Sequence, residues 1–310
     1  MAYSLKKINE AIRSDPKGFV EEAEANFDRK LQDAANRIAA NRTESRIILL
    51  AGPSGSGKTT TAMKIEKILD ERGIETHTIS MDNYFNTIDP ETAPRNREGA
   101  IDYESPFCLD IDLLNRHFAM LDRGEMIHVP KYEFSRQMRS DTFAQPLRLG
   151  ENELAIFEGI HALNDVIIGK NPKAFKLHIS ALSNISNDEG EIVFHHHWHR
   201  MCRRIVRDFK FRASDAEFTL KMWPNVRRGE KLYISPYKEN ANLRFDSSLP
   251  FEMPLLKPYI VPLLEKLPRG AYPDADAALE AFRQIEALDE SYVPVDSLAR
   301  EFIGGGSFDY

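Results

Sequence analysis

Gly52-Pro53-Ser54-Gly55-Ser56-Gly57-Lys58-Thr59, with Thr60 directly after it, has the residue types and spacing of a polyphosphate cradle. Its glycines let the backbone curl until successive N–H groups face inward, and a helix starting at its end adds partial positive charge. Lys58 then reaches the β/γ-phosphates and the Thr59 hydroxyl is placed for Mg²⁺. A glycine-rich turn could match by accident, but the apolar run Ile47-Ile48-Leu49-Leu50-Ala51 before it and the pattern Ala62, Met63, Ile65, Ile68, Leu69 after it are a strand and a helix in the required places.

Two carboxylates follow apolar strand candidates. Asp82 comes just after the run Ile74 to Ser80, where an open α/β sheet gathers its ligands. A carboxylate there can take the proton of an attacking hydroxyl as a phosphoryl group moves; an Asp that opens a turn explains the same residue equally well. Glu158 follows Leu154-Ala155-Ile156-Phe157, and an acid at that strand end suits Mg²⁺ or its waters, with a simple strand terminator as the alternative.

Arg200, Arg203, Arg204 and Arg207 lie on neighbouring surfaces of one expected helix, where they could close over nucleotide phosphates or form a salt-bridged helix with Asp208. The preceding run His195-His196-His197-Trp198-His199 invites a metal reading, but adjacent side chains diverge and no acidic or cysteine partner has a defined spacing, so a solvated loop is expected.

The elements that must position these groups can be read in outline. Residues 1–45 read as a helical attachment with Ile8, Ile12, Phe19, Val20, Phe27 and Leu31 at helical intervals. Residues 86–109 read as a long functional loop, and 126–149 as a hairpin whose Lys131–Arg139 excursion suits a substrate wall or a purely structural tip. Ser214-Asp215-Ala216-Glu217 fits a capping box inside a mobile lid of about 208–232. Phe245 to Leu249 is expected as the last strand. Pro250, Pro254, Pro258 and Pro262 predict a short or kinked helix. The tail through Gly304-Gly305-Gly306 has no helix after it and is not read as a second phosphate site. The organisation expected is an attachment at 1–45, a catalytic core at 46–249 and a helical extension at 250–310.

Composition narrows the function classes. With 310 residues, 42% hydrophobic, the chain can bury a full core; its net charge of −7 and pI of about 5.8 argue against general nucleic-acid affinity. Cys108 and Cys202 lack metal-ligand spacing, and no apolar run approaches the roughly 20 residues of a membrane span, so a cytoplasmic protein is expected. Oligomeric state stays open, with a homo-oligomer admitted.

Together, Gly52 to Thr60, Ile79–Phe85, Phe157-Glu158-Gly159-Ile160-His161 and Arg203–Asp208 resemble the uridine kinase family, within the wider group that includes phosphoribulokinase. Met222–Glu230 and Arg300-Glu301-Phe302-Ile303-Gly304-Gly305 resemble a bacterial uridine-kinase-like branch. The resemblance spans roughly residue 30 to the end. It implies an α/β fold of the P-loop NTPase type, a parallel sheet flanked by helices, with a lid and helical attachments at both termini. It implies ATP- or GTP-dependent, Mg²⁺-assisted phosphorylation of a nucleoside 5′-hydroxyl, with uridine or cytidine as the small-molecule substrate.

Carried onto this chain, the resemblance makes Asp82 the base, Lys58 and Thr59 the phosphate and Mg²⁺ contacts, and Glu158 a Mg²⁺-side carboxylate. Asp102 would hold ribose hydroxyls and Tyr132 would border the base, with Tyr84 and Arg139 among the substrate contacts. Arg203, Arg207 and Arg212 would clamp phosphates, Arg207 as a catalytic group. Two motifs depart from the family: Phe134, Ser135 and Arg136 stand where a pyrimidine-reading histidine is expected, and Arg212-Ala213-Ser214 replaces Arg-Gly-Arg. A kinase of a sugar phosphate or polyol, or a nucleotide-dependent regulatory protein without catalysis, are the competing readings.

Overall fold

The computed structural model describes residues 2–309, including all of their side chains except those of Asp141 and Phe143. The amino-terminal part is β1 (Ala2–Ser4), α1 (Leu5–Ser14) and α2 (Pro16–Asn41). The phosphate-loop unit follows as β2 (Ile47–Ala51), α3 (Lys58–Asp70) and β3 (Glu75–Ser80). After a long loop come α4 (Ile111–Asp122), the hairpin β4 (Ile127–Glu133) and β5 (Met138–Leu147), β6 (Glu153–Gly159), α5 (Asp165–Ile168) and β7 (Phe175–Ser180). Next are β8 (Asn184–Ser186), β9 (Ile192–Phe194), α6 (His196–Phe211), α7 (Ala216–Gly229) and β10 (Leu243–Asp246). The chain closes with α8 (Glu252–Leu264), α9 (Pro273–Phe282) and α10 (Arg300–Ile303).

Every residue of β2 is buried, as expected of a strand covered on both sheet faces. It is the middle of a five-stranded sheet in the order β10-β7-β2-β6-β3, and all neighbouring pairs are parallel. Because side chains alternate across a strand, Ile48 and Leu50 enter one core while Ile47, Leu49 and Ala51 enter the other. β6 divides in the same way, Leu154 and Ile156 on one side, Ala155 and Phe157 on the other.

The amino-terminal helices belong to the larger core. Val20, Ala23, Phe27, Leu31, Ala34 and Ile38 form one buried stripe of α2 at spacings of three and four, packed into the same cluster as Ala62, Ile65 and Leu69 of α3. Asp15 caps α2 by accepting the Gly18 N–H at 2.9 Å, with Pro16 in the first turn. β1 pairs with β8, placing Tyr3 opposite Ile185.

Three local expectations change. The His195–His199 run is the start of α6, not a solvated loop: Trp198 and His199 are buried, and the Trp198 indole donates to Asp274 at 3.2 Å. Neighbouring Phe194 and Phe282 supply apolar packing that a local pattern cannot reveal. α8 runs for thirteen residues despite its prolines. Pro254 lies in the first turn, and the Pro254 carbonyl, which Pro258 cannot engage, accepts the Leu288 N–H at 3.1 Å. The last strand begins at Leu243 and ends at Asp246, leaving Ser247 to Leu249 as a buried loop.

Candidate active site

The phosphate loop is shaped by close contacts around it. A Cβ on Gly52 would lie 2.2 Å from the Ile179 carbonyl oxygen, and Gly55 adopts φ +74°, so both positions require glycine. Three arginines of α6 hold the loop from outside its cavity. Arg200 Nε donates to the Ser54 carbonyl at 3.1 Å, Arg204 Nη1 to Ser54 Oγ at 2.9 Å, and Arg203 Nη1 to the Gly55 carbonyl at 3.1 Å. Ser247 Oγ donates to the Ser56 carbonyl at 2.6 Å. With the Ser54, Gly55 and Ser56 carbonyls held on that side, the other face of the loop is left to the cavity.

On that other side is a cavity of about 150 Å³ bounded by Ser54, Gly55, Gly57, Lys58 and Thr59. Asp82 and Glu158 line the same space, together with Arg207, Arg212 and Glu301. Asp82 sits in the single turn Met81–Tyr84 at the end of β3, with its N–H capped by Ser80 Oγ at 3.3 Å. Burial raises its carboxyl above the usual aspartate range, against the opposing pull of Lys58 and Arg212. Glu158, near the carboxyl end of β6, lies opposite Ser80 on one side and Leu50 on the other. Burial pushes its carboxyl up to about 7, with Lys58 lowering it and Asp82 raising it. The Thr59 hydroxyl is 3.5 Å from Glu158 Oε1. This pair of hard oxygen donors beside the cradle fits a magnesium ion.

The remaining expected residues are not all brought to this cavity. Arg207 and Arg212 line it, both close to Asp208, at 2.8 and 3.6 Å. Arg203 lies behind the loop, fully buried, with its guanidinium on Glu252, Gly55 and Ser247. Tyr84 is buried, and its hydroxyl meets His117 Nδ1 at 2.9 Å. Arg139 braces the Asp82 turn through the Tyr84 and Phe85 carbonyls at 3.1 and 3.3 Å and Asp110 at 3.0 Å. Tyr132 packs with Phe85 and Phe134, ring centroids 5.5 and 5.1 Å apart. Asp102 is buried against α7 and the turns after it: Arg228 reaches it at 2.6 and 3.2 Å and the Tyr233 hydroxyl at 2.8 Å. Burial opposes ionisation of Asp102, but these donors outweigh it and hold the carboxyl below the usual range.

Glu301 is the residue the sequence did not single out. It arrives from α10, accepts the Thr60 hydroxyl and lines the same cavity. It falls in a motif that carries the family resemblance, but the sequence gives it no role, because its partner is 241 positions away in the chain.

Residues 47–250 match the family model described as phosphoribulokinase/uridine kinase. The chain belongs to this family. It is 28% identical over 201 residues to a uridine kinase of Staphylococcus epidermidis, covering 64% of this chain and 86% of that one. A uridine kinase of Macrococcus caseolyticus is 28% identical over 202 residues, covering 65% and 87%. One from Saccharomyces cerevisiae is 25% identical over 215 residues, covering 69% of this chain and 39% of that protein. Membership makes this chain a small-molecule kinase with a nucleotide phosphoryl donor, on the parallel α/β sheet described above. Residues 251–310, including Glu301, lie outside the family match. Among the described residues no helix is long and apolar enough to cross a membrane.

Proposed function

We propose that this kinase transfers the γ-phosphoryl group of ATP or GTP to the 5′-hydroxyl of a nucleoside, uridine or cytidine, with Asp82 as the base. The observation that carries this reading is the single cavity shared by Asp82 and the Gly52–Thr59 cradle. Asp82 accepts the hydroxyl proton as the oxygen attacks phosphorus in line, and the burial that raises its pKa strengthens its ionised carboxylate as a base. Lys58, Arg207 and Arg212 offset the negative charge that develops on the transferring group. Thr59 and Glu158 are the residues that would hold Mg²⁺, which supplies neutralisation of the β- and γ-oxygens when bound. Arg203 serves this site indirectly, by fixing the loop through Gly55.

For the acceptor, Tyr132 borders the base and Asp102 takes the ribose hydroxyls, which then replace Arg228 and Tyr233 on that carboxylate. A second reading, a sugar phosphate or polyol as acceptor, is favoured by one observation: Phe134 packs on Tyr132 where a pyrimidine-reading side chain is expected. An acceptor panel with ATP and Mg²⁺ separates the two. Turnover of uridine or cytidine supports the first; turnover confined to sugars or polyols rejects it in favour of the second.

A further inference from the structure

The small catalytic cavity opens into a chamber of about 590 Å³, within the roughly 300–1,000 Å³ typical of small-molecule sites. Thr59, Asp82, Glu158, Arg207, Arg212 and Glu301 line both spaces. The chamber's far wall is Phe211, Arg300, Phe308 and the backbone of Gly304-Gly305-Gly306, most of it from the segment outside the family match. Of the acceptor residues named above only Asp82 lines it, where the two spaces meet; Asp102, Tyr132 and Arg139 do not.

This wall is built, not a loose end of chain. Arg300 Nη2 ties it to the Glu290 and Val293 carbonyls at 2.9 and 2.8 Å, Lys210 Nζ donates to the Ile303 carbonyl at 2.6 Å, and the Ser307 N–H donates to Val295 at 2.8 Å. Gly304 adopts φ +83°, and a Cβ there would stand 2.9 Å from Phe211 Cζ, so ring and backbone are fitted to each other. Yet Phe211 keeps 54% of its surface exposed.

We propose that this chamber seats the nucleoside half of the phosphoryl donor, with Phe211 and Phe308 as base-contacting residues and the Gly304–Gly306 backbone reading the base edge. The inference rests on the phosphate-loop reading given above and adds where the donor's base goes. A triphosphate held along the cradle must carry its ribose and base into adjoining space, and this chamber adjoins it at Thr59 and Glu301. Its chemistry suits a flat heterocycle: two aromatic rings, the Arg212 guanidinium, and the exposed glycine backbone at Gly305 and Gly306. Glu301, at the junction, offers a carboxylate to ribose hydroxyls.

The test compares Mg²⁺-ATP with inorganic tripolyphosphate by titration calorimetry, in the full chain and in Phe211→Ala/Phe308→Ala. The unaltered chain is measured first; failure to bind either ligand overturns the phosphate-loop reading and this inference with it. Given binding, the double variant is expected to lose about tenfold or more in ATP affinity, the scale of losing base–aromatic stacking, while tripolyphosphate affinity and acceptor KM stay unchanged. Unchanged ATP affinity overturns the inference. So does an equal loss for both ligands, which assigns the rings to the cradle's integrity, or a rise in acceptor KM alone, which makes the chamber the acceptor's.

Discussion

Arg203 and Glu252 form an ion pair with no solvent exposure on either side chain, and the same guanidinium holds the Gly55 carbonyl of the phosphate loop at 3.1 Å. Nη2 meets Glu252 Oε2 at 2.6 Å and the Ser247 carbonyl at 2.9 Å, so the cation joins α6, α8 and the loop. Removing one partner strands the other charge in the interior. Arg203→Ala is therefore expected to lose about 3–5 kcal/mol in urea unfolding, and Arg203→Leu/Glu252→Leu distinctly less. An Arg203→Ala chain as stable as the unaltered one would assign this guanidinium to the nucleotide instead.

The segment expected to act as a lid is fastened at Asp102. Arg228 and Tyr233 both bond its carboxylate, and Gly229 packs so closely that a Cβ there would lie 2.5 Å from Glu104 Cβ. Arg228→Ala is expected to loosen the lid by about 1–2 kcal/mol, a charge-assisted bond discounted for the partial exposure of the guanidinium. Amide hydrogen exchange across residues 216–235 should then quicken roughly tenfold, with the β2 and β6 amides unchanged. Equal exchange in both chains would show that the lid is held elsewhere.

How much of this was legible depended on how local each cause is. The phosphate loop, Asp82 and Glu158 were readable because a strand end and a following turn place them with no help from distant chain. Arg203 was placed on the right helix, but which of that helix's arginines faces the cavity depends on packing against α8 and on Glu252, 49 positions on. The histidine run misled because burial of His199 comes from Phe194 and the helix's docking, not from composition. Glu301 and the glycine-rich wall entered only through a motif resemblance and received no role, because a loop with no helix after it carries no phosphate-binding signal; its meaning comes from where the carboxyl-terminal segment lands.

His199 gives the fold an acid sensitivity. Burial pushes its imidazole down to about 3, with Arg203 adding to the shift, and neither ring nitrogen finds a hydrogen-bond partner among the described residues. The folded value lies below the unfolded value of about 6.5, so the contribution is intact above pH 6.5 and is lost as pH falls toward 3. The slope is about 1.4 kcal/mol per pH unit, or about 2 kcal/mol between pH 6.5 and 5. In His199→Leu the decline of unfolding free energy over that range should be shallower by this amount. An identical slope in both chains would contradict the assignment.

Ala213 sits at φ +50°, where the family resemblance expects glycine. A β-carbon is disfavoured in that left-handed region, so Ala213→Gly is expected to stabilise the chain by about 0.5–1 kcal/mol, read as a higher thermal midpoint. A lower midpoint would mean that the lid's hinge tolerates the methyl group without strain.

The central claim is that the Asp82 carboxylate removes the acceptor's proton across the cavity it shares with the cradle. Its most direct test follows labelled γ-phosphate from ATP to uridine or cytidine in the unaltered chain and in Asp82→Asn, with ATP affinity measured alongside. The account predicts transfer by the unaltered chain and a drop of roughly 10²–10⁴-fold in the variant, at nearly unchanged ATP affinity. Undiminished transfer by Asp82→Asn would contradict it.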